Sequence, residues 1–250
     1  MGQRWNIVDI TPDTATNFGF VAGNTLKVTP QANIVYRLTV NAGEKMDLEV
    51  DGPDGTEGMV DCVVVGPGEG TARRSGSGPG GVMRNEGEDT GKGDAIREGA
   101  GDGHAYRYGG GTGDAVRGGS GTGNANRAGD GPGNAYRSGL GEGDANCTVE
   151  GKGSAIRSGL GYGEAWCSSS AGDAIVSGGG EGSANRTGPG TGDAIHRGPG
   201  TGDAIKLGPG DGDAVVEAPG TGNAIRRGEG TGEAKQPTVE IIDPGVGRTR

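Results

Sequence analysis

Gly91-Lys-Gly-Asp-Ala-Ile-Arg-Glu-Gly-Ala100 sets a ten-residue phrase that returns as Gly111-Thr-Gly-Asp-Ala-Val-Arg-Gly-Gly-Ser120 and is still intact at Gly200-Thr-Gly-Asp-Ala-Ile-Lys-Leu-Gly-Pro209. Its general form is Gly-x-Gly-[Asp/Asn/Ser/Glu]-Ala-x-Arg-x-Gly-x, running from about Gly91 to Ala234. So short a fixed period marks an array in which each unit stacks on its neighbours. Working outward, the array starts irregularly with units at Gly68 and Gly78, the second carrying Val82 in the Ala slot, followed by the insertion Glu88-Asp-Thr90. Eight units start between 91 and 161, the last of them one residue short, and seven more between 170 and 230, making seventeen. The slip near Ser168–Ser170 is the expected place for a bend or bulge.

Numbering each unit 1 to 10, Gly holds places 1, 3 and 9, Ala place 5 and usually Arg place 7. All are odd, so an extended chain puts them on one face, and a face of Gly and Ala must lie against something very close. The expectation is one unit per rung with rungs ~4.8 Å apart, hence a rod of ~80 Å. The small faces meet either within a chain or between chains. Place 6 (Ile96, Tyr106, Val116, Tyr136, Ile156, Trp166 and onward) forms an apolar ladder, a packing stripe or a contact surface. The arginines at place 7 would repel in a column, so carboxylates from place 4, such as Asp94, Asp114 and Asp144, are expected to neutralise them. Cys147 and Cys167 share place 7 at a nominal two rungs, ~9.6 Å apart, beyond the ~7 Å reach of a disulfide. They are read as free thiols or as candidate bonds to neighbouring chains.

Composition agrees that no ordinary globular core is present. Leu, Ile, Val and Phe supply only 37 of 250 residues, whereas Gly supplies 60. Residues 1–66 differ: Thr25-Leu-Lys-Val-Thr29, Asn33-Ile-Val-Tyr-Arg-Leu-Thr-Val40 and Met46-Asp-Leu-Glu-Val50 alternate apolar with polar residues, as half-buried strands do. The fold class read from the chain is all-β: a small N-terminal β domain for docking and oligomerisation (1–66), a thin glycine-rich β-solenoid-like rod (67–237), and a cap strand with tail (238–250). The net charge of −10 disfavours nucleic-acid partners. Neither a membrane-spanning run nor a signal-peptide pattern is present, so synthesis in a cytoplasm without membrane insertion is expected.

Chemistry is sparse. The Gly87–Gly93 stretch is one residue short of a phosphate loop and carries Gly93 where Ser or Thr must reach magnesium. A calcium β-roll needs a nine-residue period, and the two histidines have no zinc spacing. No catalytic residue, metal or cofactor is assigned, and the chain is read as non-enzymatic. The decapeptide, with its Ala and Arg slots over about two thirds of the chain, resembles glycine-rich decapeptide-repeat proteins of tailed bacteriophages. That resemblance implies a virion component, a capsid decoration, head fibre or tail fibre, whose partners are other capsid or tail proteins. A homo-oligomer such as a trimer is expected. Two other readings are an adhesin meeting a host-surface receptor or glycan through Tyr106, Tyr136 and Trp166, and an ice-binding solenoid built on place-2 threonines (Thr112, Thr122, Thr191, Thr201, Thr221, Thr231).

Overall fold

The computed structural model describes residues 6–51, 60–85 and 90–237. Each ten-residue unit makes one short strand, typically Ala-x-Arg, and one glycine corner that reverses the chain. Two units are needed to return to the start, so strands pair with a 20-residue offset: Ala105 with Ala125, Ala115 with Ala135, Arg117 with Arg137. The result is a β-solenoid of two parallel sheets, of 11 and 12 strands, that share alternate units. The first sheet runs from Asn6–Ile10 through Ala105–Arg107 to Ala224–Arg227, and the second from Phe20–Ala22 through Ala95–Arg97 to Ala234–Lys235. This corrects the expectation of one unit per rung. At ~4.8 Å per strand the whole solenoid is about 50 Å long, and the repeat array is about 40 Å of it, not 80.

The small face packs within the chain. Ala at place 5 is fully buried from Ala72 to Ala214, so alanines of the two sheets fill a thin interior. Residues 6–51 and 60–66 are continuous with this stack. Ile34–Thr39 pairs with Val60–Val65, which pairs with Val82–Arg84 in the same first sheet. One core runs from Leu26, Leu38, Val40, Leu48 and Val50 into Ala72, Val82 and Ala95. The N-terminal coils are the wide end of the solenoid, where large side chains give way to alanine. A 3-10 turn, Pro12–Asn17, and the antiparallel hairpin Phe20–Ala22/Thr25–Val28 close that end. The unit shortened at Ser168–Ser170 leaves both sheets unbroken: Cys167 pairs with Arg186 and Arg157 with Val176. The expected cap strand at 238–250 lies outside the described residues.

Candidate functional site

The arginines carry the largest departure from expectation. Arg74, Arg84, Arg97, Arg107, Arg117, Arg127, Arg137, Arg157 and Arg186 are all buried, none more than 1% exposed. Their donors go to main-chain carbonyls, not to place-4 carboxylates. Arg117 Nε donates to Gly103 O at 2.9 Å, Nη2 to Gly101 O at 2.7 Å and Thr122 O at 3.4 Å, and Nη1 to Gly99 O at 3.3 Å and to Gly118 O. Arg107 and Arg226 repeat the pattern on carbonyls 14 and 16 residues earlier, and Arg97 does so on Gly80 O and Gly78 O, 17 and 19 residues earlier across the three-residue insertion. A guanidinium has five donors in a rigid plane and corner carbonyls have none of their own to meet, so the two satisfy each other. Burial lowers the pKa of Arg97 and Arg107 to about 9, with like charge on adjacent rungs adding to it. Both remain cations at neutral pH.

Place 4 has a different role. Asp94 Oδ1 accepts from Asp114 N at 2.9 Å, Asp114 Oδ1 from Asn134 N at 2.8 Å, and Asp193 Oδ1 from Asp213 N at 2.8 Å. Each side chain thus holds the amide of the equivalent residue one coil on. With ten cations sealed inside (nine Arg and Lys206) and a total of −10, the exterior carries a formal charge of about −20.

Two place-7 residues lack what arginine would supply. Lys206 Nζ and both His196 ring nitrogens are buried with no hydrogen-bond partner. Lys206→Arg should let the new guanidinium reach the Gly190 and Gly192 carbonyls, as Arg226 reaches Gly210 and Gly212. A gain of about 2 kcal/mol in urea unfolding is expected, the scale of hydrogen bonds to a charged donor. Burial lowers the pKa of His196, with Asp203 opposing weakly. The unfolded chain therefore binds this proton near pH 6.5 while the folded chain does not. Stability from the neutral imidazole is complete above that pH and is lost as pH falls toward the folded value. His196→Val, matching Val176 and Val216 in the same column, should flatten the stability slope between about pH 7 and 5. Parallel pH-stability curves for the two proteins would contradict this.

Alternation of units gives the two outer faces different characters. Place 6 of the second sheet is a half-buried column of Ile96, Val116, Tyr136, Ile156, Ile175, Ile195 and Val215. In the first sheet it reads Tyr106, Asn126, Asn146, Trp166 and Asn185 before turning apolar at Ile205 and Ile225, with Asn146 Nδ2 donating to Asn126 Oδ1 at 2.9 Å. The three proposed contact residues therefore do not form one strip. Tyr136 is on the opposite sheet from Tyr106 and Trp166, and those two are three strands, ~14 Å, apart. Only Trp166 is substantially exposed, at 44%. The threonines are divided likewise, Thr122, Thr201 and Thr221 falling on coils of the first sheet and Thr112, Thr191 and Thr231 on coils of the second, so no continuous threonine ladder exists.

Tyr106 does border a cavity of about 640 Å³ on the first sheet, with Asp61, Met83, Asp102, His104 and Glu142 around it. It exists because Gly81 takes place 4 and leaves the outer ladder without a side chain above Asp61, whose Oδ1 accepts from Gly81 N at 2.8 Å. The Tyr106 ring lies between His104 and Tyr108, at 5.4 and 5.6 Å between centroids.

Cys147 and Cys167 are in-register neighbours on adjacent strands of the first sheet, so the two-rung spacing assumed for them does not apply. Both point inward, 0% exposed, and both are free. Interior placement removes them from reach of a neighbouring chain and corrects their reading as intermolecular thiols.

At the N-terminal end, where the sheets begin, Ile7, Phe18 and Phe20 are 53, 38 and 72% exposed. Sequence reading did not single them out, although two of them are the only phenylalanines in the chain. Among the described residues no three His, Cys, Asp or Glu side chains converge as a metal cluster, and no helix is long and apolar enough to cross a membrane. Compared with family models, curated proteins and solved structures, the chain matches none.

Proposed function

We propose that the chain is a non-enzymatic structural component of a virion, a decoration or fibre that docks through its N-terminal end and holds the repeat rod away from the particle. The observation that supports this reading is the exposure of three large apolar side chains at that end, although Leu140, Leu160 and Tyr162 are also exposed along the rod. Ile7, Phe18 and Phe20 stand exposed at the first strands, whereas the exterior as a whole carries about −20. Like charge opposes side-by-side association of rods, and exposed aromatics favour attachment, so attachment is assigned to the N-terminal end. The corner carbonyls are held from inside by guanidinium groups, which suits a stiff spacer. Phe18→Ser/Phe20→Ser in the whole chain should leave circular dichroism unchanged and reduce co-sedimentation with the particle at least tenfold. Undiminished co-sedimentation would refute the assignment.

The second reading, an adhesin, draws on the cavity beside Tyr106. It predicts that Tyr106→Ser weakens binding to host cells while Tyr136→Ser, on the opposite sheet, does not.

A further inference from the structure

Ten of the place-7 side chains, from Arg74 to Arg226, are arginines that fill the corner with a guanidinium. In the first sheet the column Arg107, Arg127, Cys147, Cys167, Arg186 breaks that rule twice in succession. Where Cys enters, place 9 also changes: Val149 and Ser169 replace Gly and turn inward, 4 and 5% exposed. They occupy the space a guanidinium would take. Ser169 Oγ donates to Gly153 O at 2.9 Å, the place-3 carbonyl that an arginine reaches through Nε, as Arg117 does with Gly103 O at 2.9 Å. The corner is thus closed by other side chains, and the two thiols sit side by side on adjacent strands. Each is aimed at the equivalent corner carbonyl of its own coil, Cys147 Sγ donating to Gly133 O at 3.5 Å and Cys167 Sγ to Gly153 O. Cys167 Sγ lies 3.2 Å from Ser169 Oγ and 3.2 Å from Gly153 O.

The sheet itself decides what such a pair can become. In-register residues on adjacent parallel strands project in the same direction, so their Cβ atoms keep the strand spacing of ~4.8 Å. A disulfide prefers Cβ atoms ~3.8 Å apart and would pull the strands together. Two metal–thiolate bonds of ~2.3 Å placed end to end span ~4.6 Å, which the sheet already provides. The column supplies charge as well: two thiolates around a monovalent cation leave one negative charge, and Arg127 and Arg186 stand on the strands either side. Ser169 and Thr148 also line a cavity of about 470 Å³ at the corner, with Glu150 at its wall, so the surface approaches the sulfurs through Ser169.

We propose that Cys147 and Cys167 form a two-coordinate site for a soft monovalent cation, Cu(I), bound as a linear bis-thiolate inside the rod. Thiolate ligands select Cu(I) over hard cations. On binding, both thiols release their protons and two Cu–S bonds form; no electron is transferred.

The test uses the full-length reduced protein under anaerobic conditions, titrated with Cu(I) held by a chromophoric chelator. One Cu(I) per chain should leave the chelator, with a near-ultraviolet sulfur-to-copper band and an X-ray absorption spectrum fitted by two sulfur neighbours. Cys147→Ser and Cys167→Ser should each weaken retention at least tenfold, and Cys62→Ala, whose thiol lies in the separate N-terminal core, should not. Copper should also slow amide exchange across residues 145–170 of the unsubstituted protein, a readout that stands even if a serine variant fails to fold. The proposal is overturned if the chelator keeps the metal, if the serine variants retain copper like the parent, or if a chain 2 Da lighter shows that a disulfide forms instead.

Discussion

Arg117→Met is expected to destabilise the middle of the rod by about 3 kcal/mol, although it removes a buried charge that has no carboxylate partner. Two effects oppose each other. Methionine relieves the desolvation of a guanidinium, which alone can make such an exchange neutral or stabilising. Against this, the Gly99, Gly101 and Gly103 carbonyls lose the donors Arg117 gives them, and each orphaned buried acceptor costs about 1–3 kcal/mol. The carbonyls belong to the backbone and cannot be exchanged along with the arginine, so the second effect wins. Arg117→Lys should recover little, because the ammonium of Lys206 in the same slot meets no carbonyl at all. Stacked coils unfold locally as well as globally, so the decisive measurement is amide exchange near Gly99–Gly123. Protection there should fall while the N-terminal coils keep theirs. Unchanged protection in Arg117→Met would mean that the guanidinium is a spectator.

How much of this was legible beforehand can be traced to particular residues. All-β class, ten-residue units and close backbone packing follow from Gly at places 1, 3 and 9 with Ala at place 5, because these positions share a face whatever the connectivity. The 20-residue coil does not follow from the consensus, which is the same for both sheets. Its trace lies in place 6 up to about residue 195, where Asn126, Asn146 and Asn185 fall on one sheet while Ile96, Val116, Ile156, Ile175 and Ile195 fall on the other; Ile205 and Ile225 then blur it by joining the asparagine sheet. Reading every unit as equivalent hid that alternation, doubled the rod length and set Cys147 and Cys167 one strand too far apart. The arginine column was misread for a general reason. Charge pairing with Asp94 or Asp114 is the usual resolution for stacked cations, whereas a thin interior leaves many corner carbonyls that only a planar multi-donor can reach. Carbonyls have no signature in a sequence.

Gly113→Ala should be severely damaging, whereas Gly110→Ala, three residues away, should be harmless. Gly113 sits at φ +149°, and a Cβ there would lie 2.1 Å from Gly93 O and 2.7 Å from Gly93 C. The obstacle is the backbone of the coil below, and that coil is fixed by Arg107, whose Nε donates to the same Gly93 O at 2.9 Å. Relief would require the strands to separate and both hydrogen bonds to lengthen, so a loss above about 4 kcal/mol is expected. At Gly110 the nearest atom to an added Cβ is Thr90 Cγ2, 3.8 Å away, an ordinary contact. Alanine there costs no packing and restricts the unfolded chain, which favours folding by about 0.4–1 kcal/mol. Urea denaturation followed by circular dichroism on the two variants makes the comparison at constant chemistry. If Gly113→Ala matches Gly110→Ala, neighbouring coils do not approach as closely as carbonyl-to-glycine stacking requires, and the reason for glycine at every third place of the unit is lost.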